Sequence, residues 1–598
     1  MNAFRRFLTF LSVLSLVACH GLISGCGRSE PGPPPGSTPA TNTAAPKPVA
    51  ELPNIDQNRV LEHIKALSSD EFEGRLPGTK GEDLTVKYIT DQYTAVGLEP
   101  GNPDGTWVQR VPLVGITGKS SPLTLTAAAL REPQGRPEQS RGAAGARQAG
   151  AKATLTYGDD MIAWTRHVAD RVAVDASDMI FVGYGVEAPE FQWDDYKGVD
   201  TKGKTLVMLV NDPLVPGPDG QPDPKVFGGP AMTYYGRWTY KYEKGAEKGA
   251  AAVLVIHETG PAGYGWNVVQ GFGGERFDLE TPDKNMNRAK VEGWIHLDRA
   301  RELFKASGQD FDALKRAAAS RDFKPVPLNT QASISIANTM RRVQSQNVIG
   351  KLTGSDPTLK NEYVIYTGHW DHLGVGNAVD GDKVYNGAVD NATGIGAIIE
   401  IARAFKQAQP PPERSILFLA VTAEEQGLLG SEYYAKNPLY PLNKTVANIN
   451  IDAMNPYGRT TDLVVVGKGA SELDDYAEAV AREQGRTVKP DPEPEKGYYY
   501  RSDHFNFAKV GVPALYADGG VDYVGRPAGW GRKILDEHTA TRYHQPQDEI
   551  RPDWDLSGLA EDAKFFFAVG YRVANADKMP EWRPGNEFKA IRDKSLGR

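Results

Sequence analysis

The stretch Tyr363-Val364-Ile365-Tyr366-Thr367-Gly368-His369 decides the fold, because a short β-forming run ends at a glycine followed by a potential metal ligand. Two more apolar runs, at 416–421 and 446–451, are also followed by polar residues. In open α/β sheets, sites assemble in the crevice outside the carboxyl ends of the strands. We therefore expect the polar residues at the three strand ends to converge; they are His369, Glu424, Glu425 and Asp452.

Asp390 arrives differently, in the turn 386–394, just before a helical pattern from Ile395 to about Gln407. A carboxylate in such a turn can use both oxygens and bridge two cations. Zinc accepts imidazole nitrogen and carboxylate oxygen, and one bridging aspartate with two further ligands per ion uses five residues. Two such ions about 3.5–4 Å apart lower the pKa of a shared water towards roughly 7. The pattern thus predicts hydrolysis by two zinc ions per chain, with His369, Asp390, Glu425, Asp452 and His544 as ligands.

Two acidic residues beside these ligands are candidates for catalytic roles. Glu424 precedes a ligand but is left over from the ligand count, so it is a candidate general base. Asp371 can accept the imidazole N–H of His369 that the metal does not use, and so fix the tautomer.

Four stretches, at 368–374, 386–394, 423–431 and 543–548, resemble the co-catalytic di-zinc exopeptidases related to bacterial leucyl aminopeptidase and glutamate carboxypeptidase (peptidase family twenty-eight). The resemblance implies that His369 and Asp452 hold one zinc, Glu425 and His544 hold the other, and Asp390 bridges them. It also implies that Glu424 is the general base.

Several further features follow from the resemblance. Tyr543 is similar to a tyrosine that donates its hydroxyl to the oxyanion in some members. The Asp390-Asn391 bond is expected to be cis. Gln545 departs from the family, in which many members have a small hydroxylated residue after the histidine. His372 and His504 have no place in the ligand count and are expected to be structural or to line the cleft.

The resemblance also implies the domain organisation and fold class. We expect an α/β fold, with a mixed, mostly parallel central sheet flanked by helices and a smaller β-rich protease-associated insert. The catalytic domain occupies 53–159 and 329–598, the insert occupies 160–328, and Ala332–Ile336 re-enters the main sheet. The insert either restricts access to the cleft, with Trp266 and Phe272 as candidate lid residues, or is a packed accessory module. The low-complexity stretch 131–152 is interpreted as a surface loop.

The amino terminus has the pattern of a targeting segment. Arg5-Arg6 precede an apolar run, Phe7 to Ala18, that is too short for a membrane span of about 20 residues but typical of a secretory leader. Cys19 and Cys26 both resemble the lipid-attachment site of bacterial lipoproteins. We expect a signal peptide at 1–26, a Pro-rich tether at 27–52, and an exported protein of the cell envelope, periplasmic or held at the membrane by a lipid. An ordinary cleaved leader is the alternative.

Composition agrees with a large hydrolase and excludes other classes. The chain has 598 residues, of which 40% are hydrophobic and 24% charged, and its net charge is −8. It has no basic stripe with interleaved aromatic residues, so nucleic acid is not an expected partner. Manganese and cobalt tolerate the same ligand types as zinc.

The expected function is an aminopeptidase that acts on peptides, and three rivals compete with it. A carboxypeptidase or dipeptidase on the same scaffold needs a cation to hold a free carboxylate, and Arg501 or Arg542 is a candidate. A glutaminyl cyclase typically uses one zinc, which the five-ligand set disfavours. A non-catalytic receptor relative would have lost ligands or the base, and none is missing.

Overall fold

The computed structural model describes residues 46–127, 152–270 and 274–598. The predicted signal peptide with Cys19 and Cys26, most of the tether, nearly all of the low-complexity stretch and Phe272 lie outside the described residues. The residues Lys47–Arg598 belong to one compact unit.

The strands of the described residues include two long ones, Val108–Ser120 and Val326–Leu352. In chain order the strands are β1 Glu99–Pro100, β2 Val108–Ser120, β3 Leu123–Ala127, β4 Lys152–Leu155, β5 Met161–Trp164, β6 Arg171–Phe181, β7 Glu187–Ala188, β8 Trp193–Asp194, β9 Thr205–Leu209, β10 Ala252–His257, β11 Glu275–Leu279, β12 Val291–His296, β13 Val326–Leu352, β14 Tyr363–His369, β15 Gly374–Val379, β16 Asp382–Tyr385, β17 Ser415–Val421, β18 Thr445–Asn450, β19 Asp462–Val466, β20 Thr487–Pro490 and β21 Ala514–Gly519.

The α-helices of the described residues mostly follow strands. They are α1 Gln57–Leu67, α2 Lys80–Val96, α3 Trp238–Glu247, α4 Thr259–Ala262, α5 Trp266–Gln270, α6 Leu297–Ala306, α7 Phe311–Ala318, α8 Thr393–Gln407, α9 Leu429–Lys436, α10 Leu473–Glu483, α11 His504–Lys509, α12 Trp530–Thr541, α13 Ser557–Ala574 and α14 Lys589–Ser595.

The part of the sheet that carries the predicted site is mixed and mostly parallel at its centre. β14 pairs in parallel with β17 and β18, and β18 pairs in parallel with β21. On one side β13 joins β17 antiparallel, and on the other β19 joins β21 antiparallel and carries β20. Because β14, β17 and β18 run in the same direction, their carboxyl ends lie at one edge. The predicted fold class is confirmed.

Alternating side chains of these strands are buried on both faces of the sheet. Val364 and Tyr366 of β14 belong to one apolar core, whereas Ile365 belongs to another on the opposite face. Helices α1, α8 and α13 contribute to the first core, and α9 and α11 contribute to the second. A strand buried on both sides explains why the sequence shows continuous apolar runs.

The described residues between 123 and 336 build a second layered region with its own cores. Its strands β9, β10 and β12 are parallel, and β5 and β6 flank them. One face packs Phe304 and Phe311 of α6 and α7, and the other packs Tyr242 of α3. We call the described residues between 123 and 336 the second region and the other described residues of Lys47–Arg598 the main region.

The long strand β13 connects the two regions. Ala332–Ile336 pair with β3 and β6 and pack in the second region, and β13 reaches β17 at Val348. The residues expected to re-enter the main sheet thus lie in a 27-residue strand that runs through both regions and belongs to the same sheet as β14 and β17. The domain boundaries and the protease-associated identity of the insert stay predictions. Among the described residues, no helix combines the length and apolarity of a membrane span.

Candidate metal centre

The first half of the predicted centre lies at the ends of β14 and β18. His369 is the last residue of β14, and Asp452 follows β18 by two positions. The Nε2 atom of His369 lies 3.0 Å from Asp452 Oδ1 and 3.1 Å from Asp390 Oδ1. The parallel pairing of the two strands brings together ligands that are far apart in sequence.

The second half shares Asp390 with the first. The Nε2 atom of His544 lies 3.3 Å from Asp390 Oδ2 and 3.1 Å from Glu425 Oε2. Asp390 thus presents one oxygen to each imidazole, as a bridging carboxylate does. All five predicted ligands therefore meet in one place, and their nitrogen and oxygen donors suit a pair of zinc ions.

Asp390 is positioned by a turn that other polar groups support. The Asp390-Asn391 peptide bond is cis, as the resemblance implies. The backbone N–H groups of Val389 and Asp390 donate to the Asp548 carboxylate, at 3.0 Å for each. Asn391 Oδ1 accepts from the backbone N–H of Gly394 at 2.9 Å, in the first turn of α8. Hydrogen bonds therefore fix the backbone on both sides of the Asp390 carboxylate.

His372 lies closer to the centre than its absence from the ligand count suggested. It is fully buried, and its Nδ1 lies 2.6 Å from Glu425 Oε1. His372, Asp390 and Glu425 form one of the groups of side chains able to hold a metal ion. His372 therefore orients Glu425 and is also a candidate ligand. Its place in the motif 368–374, three positions after His369, is the one sequence signal, but a ligand count alone does not use it.

Asp371 supports the centre in a different way from the one predicted. His369 Nδ1 faces the backbone oxygen of Asp371 at 3.1 Å, while the nearest carboxylate oxygen is 3.8 Å away. The carboxylate instead accepts the backbone N–H of Glu424 at 3.0 Å. The predicted carboxylate–imidazole hydrogen bond is thus wrong, because the Asp371 side chain turns towards the loop after β17.

The charges of the centre depend on burial and on close neighbours. Burial opposes the charged form of His369, but Asp452, Glu424 and Asp390 outweigh it and hold its pKa well above the usual range. For His544, Glu425 and Asp390 likewise outweigh burial and raise the pKa. The carboxylates around the two imidazoles stabilise positive charge at the centre, whether it lies on the imidazoles or on bound cations.

Glu424 differs from the predicted ligands in its electrostatics. Burial, with the nearby Asp452 and Glu425 carboxylates, raises its pKa well above the usual value, although His369 opposes this. Glu424 and Glu425 belong with His369 to one group of potential metal-holding atoms within 4.8 Å of one another. A carboxyl group that holds a proton readily beside this centre has the property a general base needs.

Tyr543 lies at the mouth of the centre. Its ring stacks on His544, with ring centroids 3.8 Å apart, and 48% of the residue is exposed. Tyr543 and His544 both line the cleft. The phenol is therefore within the site, and its role as oxyanion donor stays a prediction.

Polar residues from α11 and the loop before it support the first half of the centre. Ser502 Oγ donates to Asp452 Oδ2 at 2.6 Å, and Asn450 Nδ2 donates to Ser502 at 2.8 Å. Asp503 accepts from Ser431 Oγ at 2.6 Å, and burial raises its pKa to about 7. His504 is fully buried between Tyr499 and Tyr516, as its predicted structural role requires.

Arg75 ties together the loops that carry the ligands, and sequence reasoning missed it. It is buried, and its guanidinium donates to four carbonyl oxygens at 2.6–2.9 Å, those of Trp370, Leu67, Asn386 and Gly387. The sequence around a single arginine gives no sign that the side chain satisfies backbone groups elsewhere.

A cleft of about 550 Å³ opens over the centre between the two regions. Glu424, Glu425, Tyr543 and His544 line it from the main region, and side chains of the second region line the rest. Trp266, a predicted lid residue, instead packs on the core of the second region and donates to the backbone oxygen of Gly158 at 3.0 Å. The prediction for Trp266 is wrong, because a glycine-rich composition does not show which way a ring turns.

Known proteins similar to this chain include peptidases. The mouse protein "Aminopeptidase NAALADL1" (Mus musculus) is 33% identical over 132 residues, which are 21% of this chain and 16% of that protein. "Aminopeptidase YwaD" of Bacillus subtilis (strain 168) is 33% identical over 248 residues, 40% of this chain and 46% of that protein. The matches thus span less than half the length of these two relatives.

Comparison with solved structures finds "Aminopeptidase from Aneurinibacillus sp. strain AM-1", with a TM-score of 0.47 and 17% identity, covering 88% of this chain and 96% of that one. Residues 347–567 match the family described as "Peptidase family M28". They include all five predicted ligands and Glu424. The predicted zinc exopeptidase family is confirmed, and residues 347–567 form a domain of peptidase family M28.

Proposed function

We propose that the protein is a zinc-dependent aminopeptidase that removes residues from the amino end of peptides. The observation that carries the proposal is the position of Asp390, whose two carboxylate oxygens face His369 and His544 at 3.1 and 3.3 Å. The family match and the aminopeptidase names of the relatives support the reaction class.

The five predicted ligands would hold two zinc ions, with His369 and Asp452 on one side, Glu425 and His544 on the other, and Asp390 between them. Zinc bound there would supply Lewis-acid chemistry, polarising the scissile carbonyl and making a water acidic enough to lose its proton near neutral pH. The donor set fits, because zinc takes nitrogen and oxygen ligands of these types.

The chain's own side chains supply the proton transfers. The Glu424 carboxylate takes a proton from the attacking water and then gives it to the nitrogen of the departing amine. The Asp371 carboxylate holds the backbone N–H of Glu424 and so fixes the loop that carries this base. Tyr543 donates its hydroxyl to the oxygen that becomes negative in the tetrahedral intermediate.

A panel of short peptides tests this function. Free and amino-acetylated tripeptide amides are incubated with the metal-loaded protein, with and without a chelator. Hydrolysis of the first bond in free peptides only, abolished by the chelator and restored by zinc, is the expected result. Cleavage of acetylated peptides at internal bonds would instead indicate an endopeptidase and overturn the proposal.

A carboxypeptidase or dipeptidase on the same scaffold is the second candidate, and one observation favours it. Arg501 lines the cleft, whereas Arg542 is paired with Glu537 at 2.8 Å and does not line it. Of the two arginines predicted to hold a free carboxylate, only Arg501 is thus placed to do so. Release of the last residue from acetylated peptides with a free carboxylate would establish this alternative.

Export and lipid anchoring are part of the proposal and rest on the sequence of residues 1–26. Radiolabelled palmitate incorporation into the wild type, lost in either Cys19→Ala or Cys26→Ala, tests lipid attachment and identifies the modified cysteine. Cleavage of the leader without incorporation of label would support an ordinary secreted form.

A further inference from the structure

The cleft over the metal centre is also lined by a group of hydrogen-bond donors that the proposed mechanism does not use. Arg237 and Tyr264 come from the second region and Arg501 from the main region, and all three line the same cleft as Glu424, Glu425 and His544. We call these three residues the donor cluster.

Each member of the donor cluster has a buried polar atom that lacks a partner. The Nε atoms of Arg237 and Arg501 and the hydroxyl of Tyr264 make no hydrogen bond with any described residue. Buried polar groups in proteins are almost always hydrogen-bonded, so three buried donor atoms without a partner in one cleft need an explanation. All three can donate to the same kind of acceptor.

The cluster also carries positive charge without a counter-ion. Two other cations of the cleft are neutralised: Arg166 pairs with Glu292 at 3.0 Å, and Lys509 pairs with Glu243 at 3.3 Å. Among the described residues, by contrast, neither Arg237 nor Arg501 has a carboxylate within 4.0 Å. Both arginines are partly buried, and a charge removed from water is costly unless it is paired, so two such charges in one cleft favour an anion.

The two arginines are close to each other across the boundary between the regions. Burial, together with the neighbouring charge of Arg501, lowers the pKa of Arg237 to about 10. Arg501 reaches the loop before Tyr264, because a Cβ built on Gly263 would lie 3.5 Å from Arg501 Nη2. The Arg501 side chain also donates from Nη2 to the Lys496 backbone oxygen at 2.6 Å and lies over the ring of Tyr498.

We propose that the donor cluster binds a carboxylate of the peptide substrate while the scissile bond lies at the metal centre. The planar guanidinium group matches a carboxylate with two parallel hydrogen bonds, and the tyrosine hydroxyl adds a third donor. A cleft of about 550 Å³ is in the range of small-molecule sites, so the substrate is a short peptide that spans from the centre to the cluster. This proposal rests on the proposed peptidase function.

The carboxylate has two possible sources, the carboxyl terminus of a short peptide and an acidic side chain near it. Three substrates separate the two sources: Ala-Ala-Ala as the free acid, its carboxyl amide, and Ala-Ala-Asp amide. The first has only a terminal carboxylate, the second has none, and the third has only a side-chain carboxylate. Hydrolysis by the wild type is compared with that by Tyr264→Phe, Arg237→Gln and Arg501→Gln. Tyr264→Phe removes only an unpartnered hydroxyl, so it leaves the packing of the ring intact. Arg299→Gln, at a paired and partly exposed arginine of α6, is the matched control.

In the wild type, kcat/KM for the free acid should exceed that for the amide by about ten- to a hundredfold, the usual effect of a hydrogen bond to a charged group. Most of that ratio should be in KM. Arg237→Gln and Arg501→Gln should bring it near one, Tyr264→Phe should reduce it, and Arg299→Gln should leave it unchanged. Preference for Ala-Ala-Asp amide over Ala-Ala-Ala amide would assign the cluster to an acidic side chain. Equal rates for all three substrates in the wild type would overturn the proposal.

Binding is measured separately, so that failure of the peptidase function can be told apart. Calorimetric titration of the zinc-loaded Glu424→Gln protein with the same peptides should show tighter binding of a carboxylate-bearing peptide than of the plain amide. Adding Arg501→Gln in that background should abolish the difference. If the wild type hydrolyses nothing but this difference in affinity is present, the proposed function fails and the carboxylate site stands. Equal affinities for the three peptides would reject the site itself.

Discussion

The Asp371 carboxylate accepts the backbone N–H of Glu424 at 3.0 Å, and this bond joins the loop after β14 to the loop after β17. Asp371 is fully buried, and burial raises its pKa to about 8. A single carboxyl group therefore fixes the positions of the predicted ligand His369 and the proposed base Glu424 relative to each other. Groups that orient metal-binding residues are often as important for activity as the ligands themselves.

Replacement of Asp371 should weaken the centre without unfolding the protein. Asp371→Asn keeps one oxygen acceptor but places an amide where the second backbone N–H, that of Glu425, points. We expect a loss of about 10- to 100-fold in zinc affinity or in kcat/KM. Zinc titration with a competing chelator and peptide kinetics at saturating zinc measure the two effects. Wild-type values in both would show that the bond to Glu424 has no positioning role.

Glu424→Gln should separate catalysis from metal binding. Glutamine keeps the size of the side chain but cannot take a proton, so turnover should fall by about 10²- to 10⁴-fold while two zinc ions remain bound. Elemental analysis and kcat for a free tripeptide amide measure both quantities. Glu432→Gln is the control, because Glu432 also lines the cleft but is paired with Lys436. Normal turnover in Glu424→Gln would remove this residue from the mechanism.

The sequence motifs could predict the centre because its ligands follow strands that are buried on both faces. The apolar runs before His369 and Glu425 and the run that ends just before Asp452 match β14, β17 and β18. The helix predicted from Ile395 to about Gln407 is α8, Thr393–Gln407. Parallel pairing then leaves little freedom in where these ligands meet.

Side-chain direction and long-range partners could not be predicted in the same way. The motif places Asp371 beside His369 but does not show that its carboxylate turns to Glu424. Likewise, no local pattern shows that Arg75 satisfies carbonyls about 300 residues away, or that Trp266 packs inward. These features depend on the folded surroundings of each side chain. The pairing of β13 with strands of both regions is likewise a long-range feature that no local pattern shows.

Arg75→Lys should lower stability, because lysine cannot replace a guanidinium that donates to four carbonyl oxygens. Leaving buried carbonyls unpaired should reduce the free energy of unfolding by about 2–4 kcal/mol. Chemical denaturation measures the change, and Arg299→Lys at a partly exposed position provides the control. Equal loss in the two variants would contradict the role assigned to Arg75.

Glu587 should make stability depend on pH at the contact between the two regions. Burial raises its pKa from 4.5 to about 7, although the Tyr500 hydroxyl, which donates to it at 2.8 Å, lowers it in part. Because the folded state favours the protonated carboxyl, this contribution is fully present below about pH 4.5 and is lost as the pH rises to about 7.

Glu587→Gln mimics the protonated group and still accepts from Tyr500. The difference in free energy of unfolding between variant and wild type should therefore grow by about 2–3 kcal/mol in favour of the variant from pH 4.5 to pH 7.5. Denaturant titrations at several pH values measure it, with Glu495→Gln at an exposed site as the control. A pH-independent difference would show that Glu587 has the same pKa in the folded and unfolded states.

Anomalous diffraction from crystals of the zinc-loaded protein, recorded above and below the zinc edge, tests the central claim most directly. Two peaks are predicted, one between His369 and Asp452 and the other between Glu425 and His544, with Asp390 in contact with both. A single peak, or peaks away from Asp390, would contradict the paired-metal centre and the aminopeptidase mechanism built on it.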